Sequence, residues 1–140
     1  MNKVAIVYWS GTGNTEKMAN CIAEGVKEVG GEAVLLSPGE FSADSFKDYG
    51  AVAFGCPSMG SEQLEEDEFE PMFAGLEGSL SGKKIALFGS YGWGDGEWMA
   101  DWTERCKNAG ASLAAESVIC VEEPDAEGTD ACIALGKALA

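Results

Sequence analysis

Ser10-Gly11-Thr12-Gly13-Asn14-Thr15 stands between two stretches of different periodicity. Before it runs Val4 to Trp9, an apolar segment rich in β-branched and aromatic residues. After it comes Glu16 to Val29, in which Met18, Cys21, Ile22, Val26 and Val29 recur at helical spacing. The pattern reads strand, tight turn, helix. A helix N-terminus offers unpaired N–H groups and the positive end of its dipole, so such a turn can hold a phosphate. Gly11 and Gly13 permit the positive φ that lets backbone amides converge on an anion, and Ser10, Thr12, Asn14 and Thr15 add side-chain donors. No Gly-Lys-Ser/Thr follows, so this is not a nucleoside-triphosphate loop. Glu16 stands where a dinucleotide fingerprint needs its third glycine. A Gly-Thr-Gly alone reads equally well as a hydroxyl-capped connection; six consecutive small or polar residues favour the phosphate site.

Downstream, further strands alternate with helices. Gly30-Gly31 ends the first helix, Ala33 to Leu36 reads as a second strand and Ser42 to Phe46 as a short helix. Tyr49 to Cys56 is a third strand, almost continuously apolar or small, as expected when both faces are covered. Glu65 to Leu76 reads as an acidic helix and Ile85 to Gly89 as a fourth strand. Glu97 to Ala109 is a helix, Leu113 to Val121 a fifth strand bent or broken near Ala115, and Ala126 to Leu139 the last helix. There is no repeat, linker or low-complexity tract, so residues 1–140 read as one domain. The alternation predicts an α/β fold of three layers: a five-stranded parallel sheet of order 2-1-3-4-5 between two helical layers, with right-handed crossovers. Ligands of such sheets bind beyond the carboxyl ends of the strands near the switch point. There the loops after strands 1, 3 and 4 gather.

Composition narrows the function. The 24 acidic and 9 basic residues leave a net charge of −15, which argues against nucleic acid and anionic membranes and for a basic partner surface. No apolar run is long enough to span a bilayer, and Met1-Asn2-Lys3 leads into the first strand without a signal-peptide pattern, so the expected location is cytoplasmic. The five cysteines, Cys21, Cys56, Cys106, Cys120 and Cys132, are scattered without a Cys-x-x-Cys pair, as reduced and mostly buried thiols would be. They do not form the spacing of a metal site. The chain contains no histidine, which excludes histidine-dependent triads.

Two further loops complete a constellation. After strand 3 comes Pro57-Ser58-Met59-Gly60-Ser61-Glu62; after strand 4 comes Ser90-Tyr91-Gly92-Trp93-Gly94-Asp95-Gly96. Trp93, set among glycines, fits a ligand platform better than a core position, and Met59 on the facing loop offers a polarizable side chain for the opposite face. A phosphate at the first loop and a planar ring between the other two describe flavin mononucleotide. Trp98 and Trp102, four apart, read as helix packing rather than ligand contacts. Lys17 reads as a solvated helix residue, and Trp9 belongs either near the phosphate or in the core.

These stretches resemble the flavodoxins, specifically the short-chain flavodoxins of anaerobic bacteria. The resemblance covers the whole chain and is most specific over Tyr8 to Lys17, Met59 to Glu70 and Ala86 to Met99. It implies a flavodoxin-like sandwich with non-covalent FMN, and a low-potential one-electron carrier that shuttles between semiquinone and hydroquinone in place of ferredoxin. It implies that Ser10, Gly11, Thr12, Gly13, Asn14 and Thr15 wrap the phosphate. Trp93 and Met59 flank the ring, and the amides of Gly92, Trp93 and Gly94 reach its pyrimidine edge. Glu62 accepts from N3–H, and Ser90 lies near the ribityl chain. The Gly60–Ser61 peptide turns its carbonyl to N5–H on reduction. Pro57, Val121 and Glu122 stand where some relatives carry polar residues toward the ribityl chain. Pro57, Ser58, Ser61 and Tyr91 complete the expected cofactor loops.

Glu62, Glu65, Glu66, Asp67, Glu68 and Glu70 crowd one segment, with Asp95 and Glu97 opposite. At about 10 Å and high effective dielectric each charge opposes an added electron by roughly 0.4 kcal/mol. The same acids suit docking by basic redox proteins, such as ferredoxin-type oxidoreductases or a hydrogenase, onto a monomer. An NAD(P)H:quinone reductase of the same fold is the alternative, but the chain has no spare segment for a nicotinamide pocket. A phospho-receiver domain needs an aspartate ending strand 3, where this chain has Gly55-Cys56-Pro57. A low-molecular-weight phosphatase needs a Cys-to-Arg loop that the chain lacks.

Overall fold

The computed structural model describes residues 3–11, 13–59, 63–92, 94 and 96–140. In chain order the elements are β1 (Lys3–Tyr8), α1 (Asn14–Glu28), β2 (Glu32–Leu36), β3 (Ala51–Gly55), α2 (Phe69–Leu76), β4 (Lys84–Tyr91), α3 (Glu97–Asn108), β5 (Ser112–Leu113), β6 (Val118–Val121) and α4 (Ala126–Leu139). Short 3₁₀ turns cover Pro38–Glu40 and Ala43–Asp48 between β2 and β3. The sheet runs β2-β1-β3-β4-β5 with every pairing parallel, and β6 pairs with β4 beyond β5. The expected order is therefore present. The fifth position is shared by two short strands, broken where Ala115 stands.

Alternation along the strands sends side chains into two cores. Val4 and Ile6 of β1, Ala51 and Ala53 of β3, and Ala86 and Phe88 of β4 meet Met18, Ile22 and Val26 of α1 and Leu135 and Leu139 of α4. Ala5, Val7, Val52, Phe54, Ile85 and Leu87 point the other way, into a cluster with Phe69, Phe73, Trp98 and Trp102. A period of two with both faces buried explains why the central strands read as unbroken apolar runs. Trp98 and Trp102 are core residues, as their spacing implied; the Trp98 indole Nε1 donates to the Cys56 carbonyl at 3.1 Å.

The first core is thin. A Cβ on Gly25 would lie 2.0 Å from the Ile133 carbonyl oxygen, and one on Gly136 would lie 2.0 Å from that of Ile22. α1 and α4 thus touch backbone to backbone, and only glycine fits at these two crossings.

The acidic helix is shorter than its composition implies. It begins at Phe69 rather than Glu65. The Glu65 carboxylate is buried and accepts N–H bonds from Asp67 (2.9 Å), Glu68 (2.8 Å) and Phe69 (2.8 Å), so it caps the helix from outside instead of joining it. The Glu65 amide in turn donates to Cys56 Sγ at 3.3 Å. Arg105 of α3 then grips α2: its guanidinium donates twice to Glu70 at 2.7 Å and twice to Glu77 at 2.9 Å, and lies 5.0 Å from the Phe73 ring centre.

Burial alone would raise the Glu65 pKa, but the bonds from Phe69, Glu68 and Asp67 outweigh it and hold the carboxyl below its ordinary value of 4.5. A depressed folded-state pKa stabilises the fold fully above the unfolded value, and that stability is lost as pH falls through the folded value. Glu65→Gln should therefore cost about 1.5–3 kcal/mol at neutral pH, and less in acid. Urea unfolding across pH checks this: the curves of the two proteins should converge below the carboxylate range. Parallel curves would contradict the charged cap.

Candidate functional site

At the carboxyl ends of β1, β3, β4 and β6 lies a cavity of about 470 Å³. Its walls are Trp9, Gly11, Asn14 and Thr15 after β1; Pro57, Ser58 and Met59 after β3; Ser90, Tyr91 and Gly92 from β4; and Glu122 and Glu123 after β6. The sheet order produces this convergence, because strands 1 and 3 are neighbours while their connections leave on opposite faces.

The first loop is organised by Ser10. Its hydroxyl oxygen accepts the amides of Gly13 (3.1 Å) and Glu16 (3.3 Å), so the side chain expected to reach a phosphate holds its own turn. Gly13 has φ 96° and supplies the left-handed step into α1. The first amides of a helix have no intrahelical acceptor, and Asn14 and Thr15, which open α1, line the cavity. Thr15 is 1% exposed, and its hydroxyl meets that of Ser90 at 3.2 Å, joining the β1 and β4 walls.

The second loop is pinned at its base. Ser58 N–H donates to Ser90 carbonyl at 3.1 Å, and Met59 and Gln63 exchange backbone bonds of 2.9 and 2.8 Å. Cys56 Sγ and the Glu65 amide close the loop behind them, and burial pushes the Cys56 thiol up to about 12, so this cysteine is structural. The Ser58 hydroxyl is buried at the cavity wall and has no hydrogen-bond partner among the described residues. A buried hydroxyl without a partner is costly, so this atom is an acceptor or donor awaiting a bound polar group. With the helix-opening residues and a wall of mixed polarity, the cavity fits a phosphorylated ligand that also carries hydroxyls.

Of the other expected residues, Gly94 has φ 83° and does not line the cavity, nor do Ser10 and Gly13. Thr12, Gly60, Ser61, Glu62, Trp93 and Asp95 lie outside the described residues. Three wall residues were missing from the expected ligand set. Trp9 bears on both earlier alternatives: it lines the cavity, packs against the second core and donates from Nε1 to Glu68 at 3.3 Å. Glu122 and Glu123 belong to the wall because β6, ending at Val121, delivers them there, with Glu122 at φ 56°. Lys17 is paired as well as solvated, its Nζ 2.7 Å from Glu123 Oε1. The signal for these acids was their position just after a strand.

A protein-family model described as Flavodoxin matches residues 6–136. The chain is 47% identical over 135 residues to a flavodoxin of Clostridium beijerinckii, covering 96% of this chain and 97% of that one. It is 44% identical over 137 residues to a flavodoxin of Megasphaera elsdenii, covering 98% of each. The solution structure of two-electron reduced Megasphaera elsdenii flavodoxin superposes with a TM-score of 0.89 at 45% identity, over 97% of both chains. With these relatives matching end to end, on the sheet order and the strand-end cavity described above, the chain belongs to the flavodoxin family.

Proposed function

We infer that this protein is an FMN electron carrier, acting as a single domain that passes one electron at a time at low potential in place of ferredoxin. The observation that carries the reading is the strand-end cavity, with Ser58 Oγ buried at its wall and partnerless among the described residues, in a chain of this family. When bound, FMN supplies the one-electron redox chemistry; the chain binds, orients and shields it. Residues 10–15 would hold the phosphate, with Asn14 and Thr15 at the opening of α1 and the Ser10 hydroxyl keeping the turn in shape. Ser58 and Ser90 would meet hydroxyls of the ribityl chain. Met59 and Trp93 would cover the ring faces and exclude water. Gly92, Trp93, Gly94 and Glu62 would bind the pyrimidine edge, and the Gly60 carbonyl would accept the proton at N5. Pro57, Ser61 and Tyr91 would shape the same loops.

The exposed acids Glu66, Asp67 and Glu68 lie just beyond the Met59–Gln63 pair and would meet basic patches on redox partners, such as ferredoxin-type oxidoreductases or a hydrogenase. Among the described residues no helix is long and apolar enough to cross a membrane. A cytoplasmic monomer is the form in which such a carrier would meet its partners. No observation favours the quinone-reductase alternative.

An anaerobic reductive titration of the FMN-loaded protein tests the reading. Two separated one-electron steps are expected, the second at low potential, with NAD(P)H alone leaving the flavin oxidised. A single two-electron step driven by NAD(P)H would contradict it. Ser58→Ala should weaken FMN binding about tenfold, the worth of one hydrogen bond. Fluorescence-quenching titration measures that loss, while the FMN-free protein should be no less stable, since the substitution removes a partnerless buried hydroxyl.

A further inference from the structure

Outside the cofactor cavity, the chain collects three of its five free cysteines behind β6. Cys120 and Cys132 sit in the core shared by α1 and α4, with Cys21 packed against it. Cys120 Sγ lies against the first turn of α4, 2.6 Å from where a Cβ on Gly128 would stand, and Cys132 follows one helical turn later on the same helix. The two thiols are hydrogen-bonded to each other, whereas Cys21 takes its hydrogen bond from the Thr129 hydroxyl. Only one member of the pair meets solvent. Cys120 lines a surface cavity of about 350 Å³ between β6 and α4, while Cys132 is fully buried behind it.

We propose that Cys120 and Cys132 are an oxidisable dithiol, in which a neutral hydroperoxide reaches Cys120 through this cavity and Cys132 resolves the product to a disulfide joining β6 to α4.

The cavity selects the oxidant by charge. Glu123, Asp125 and Glu127 line it and no Lys or Arg does, so an anionic disulfide such as oxidised glutathione is repelled and a small neutral peroxide is not. The hydrogen bond from the Cys132 thiol lowers the Cys120 pKa against the effect of burial and raises that of Cys132, so the reactive sulfur is the one facing the cavity. In the first step Cys120 Sγ attacks one peroxide oxygen. The O–O bond breaks, the other oxygen leaves with the thiol proton as water or an alcohol, and Cys120 becomes a sulfenic acid. In the second step Cys132 Sγ attacks the Cys120 sulfur. The S–O bond breaks, and the hydroxyl leaves as water with the Cys132 proton. Two thiols lose two electrons and the peroxide gains them. The new bond lies two residues before Glu122, so it ties down the strand that delivers one wall of the cofactor cavity.

The test treats the FMN-loaded protein with hydrogen peroxide, quenches it with an alkylating reagent in denaturant and maps the peptides. Two of the five thiols should become unreactive, with the loss of two hydrogens and a single linked peptide pair carrying Cys120 and Cys132. Cys132→Ser should stop at a Cys120 sulfenic acid that dimedone traps. Cys120→Ser should leave every remaining thiol alkylatable at the same peroxide dose. Oxidation falling first on Cys21, linkage of Cys21 to either partner, or a cross-link between two chains would overturn the proposal, as would five intact thiols.

Discussion

The backbone contact between α1 and α4 is the constraint on which the rest depends. At Gly25 and Gly136 each helix sits against a carbonyl oxygen of the other, so their spacing admits no side chain. The alanines that line this face of the sheet, Ala51 and Ala53 on β3 and Ala86 on β4, keep the layer shallow enough for both helices to reach it. The contact fixes where α1 begins, and the start of α1 forms one end of the cofactor cavity. It also fixes α4 against β6, and the end of β6 places Glu122 and Glu123 in the opposite wall. Phosphate loop and acidic wall are thus held at a set separation by two glycines far from either.

The acidic segment is less uniform than its composition implies. Glu65 is turned inward and its charge is met by three amides; Glu70 is paired with Arg105. Six equal repulsive charges would sum to about 2.5 kcal/mol against an added electron. With two of them satisfied, a smaller number acts on the ring, and Glu66, Asp67 and Glu68 remain exposed for encounter. The inward pair has a structural task instead: Glu65 and Cys56 close the loop after β3, and Arg105 clamps the helix that follows. The electrostatics of electron transfer and the rigidity of the loop are divided between neighbouring acids.

Much of the fold was legible because its signals are local. The strand–turn–helix opening, the buried runs of β3 and β4 and the break near Ala115 follow from periodicity and glycine placement, and the sheet order follows from the alternation of strands and helices. The start of α2 was not legible, because a glutamate at position 65 reads as a good helix former until its side chain is seen to bind the backbone ahead of it. For the site, Gly11, Asn14, Thr15, Pro57, Ser58, Met59, Ser90, Tyr91 and Gly92 do line one cavity. The role of Ser10 within its own turn, and the arrival of Trp9, Glu122 and Glu123, depend on tertiary placement that no short motif encodes.

The most direct test of the account is a crystal structure of the FMN-loaded protein. The phosphate should lie at residues 10–15 on the opening of α1, Ser58 Oγ should be hydrogen-bonded to the ribityl chain, and the ring should lie between the loops after β3 and β4. A flavin seated elsewhere, or a Ser58 hydroxyl still without a partner, would contradict it.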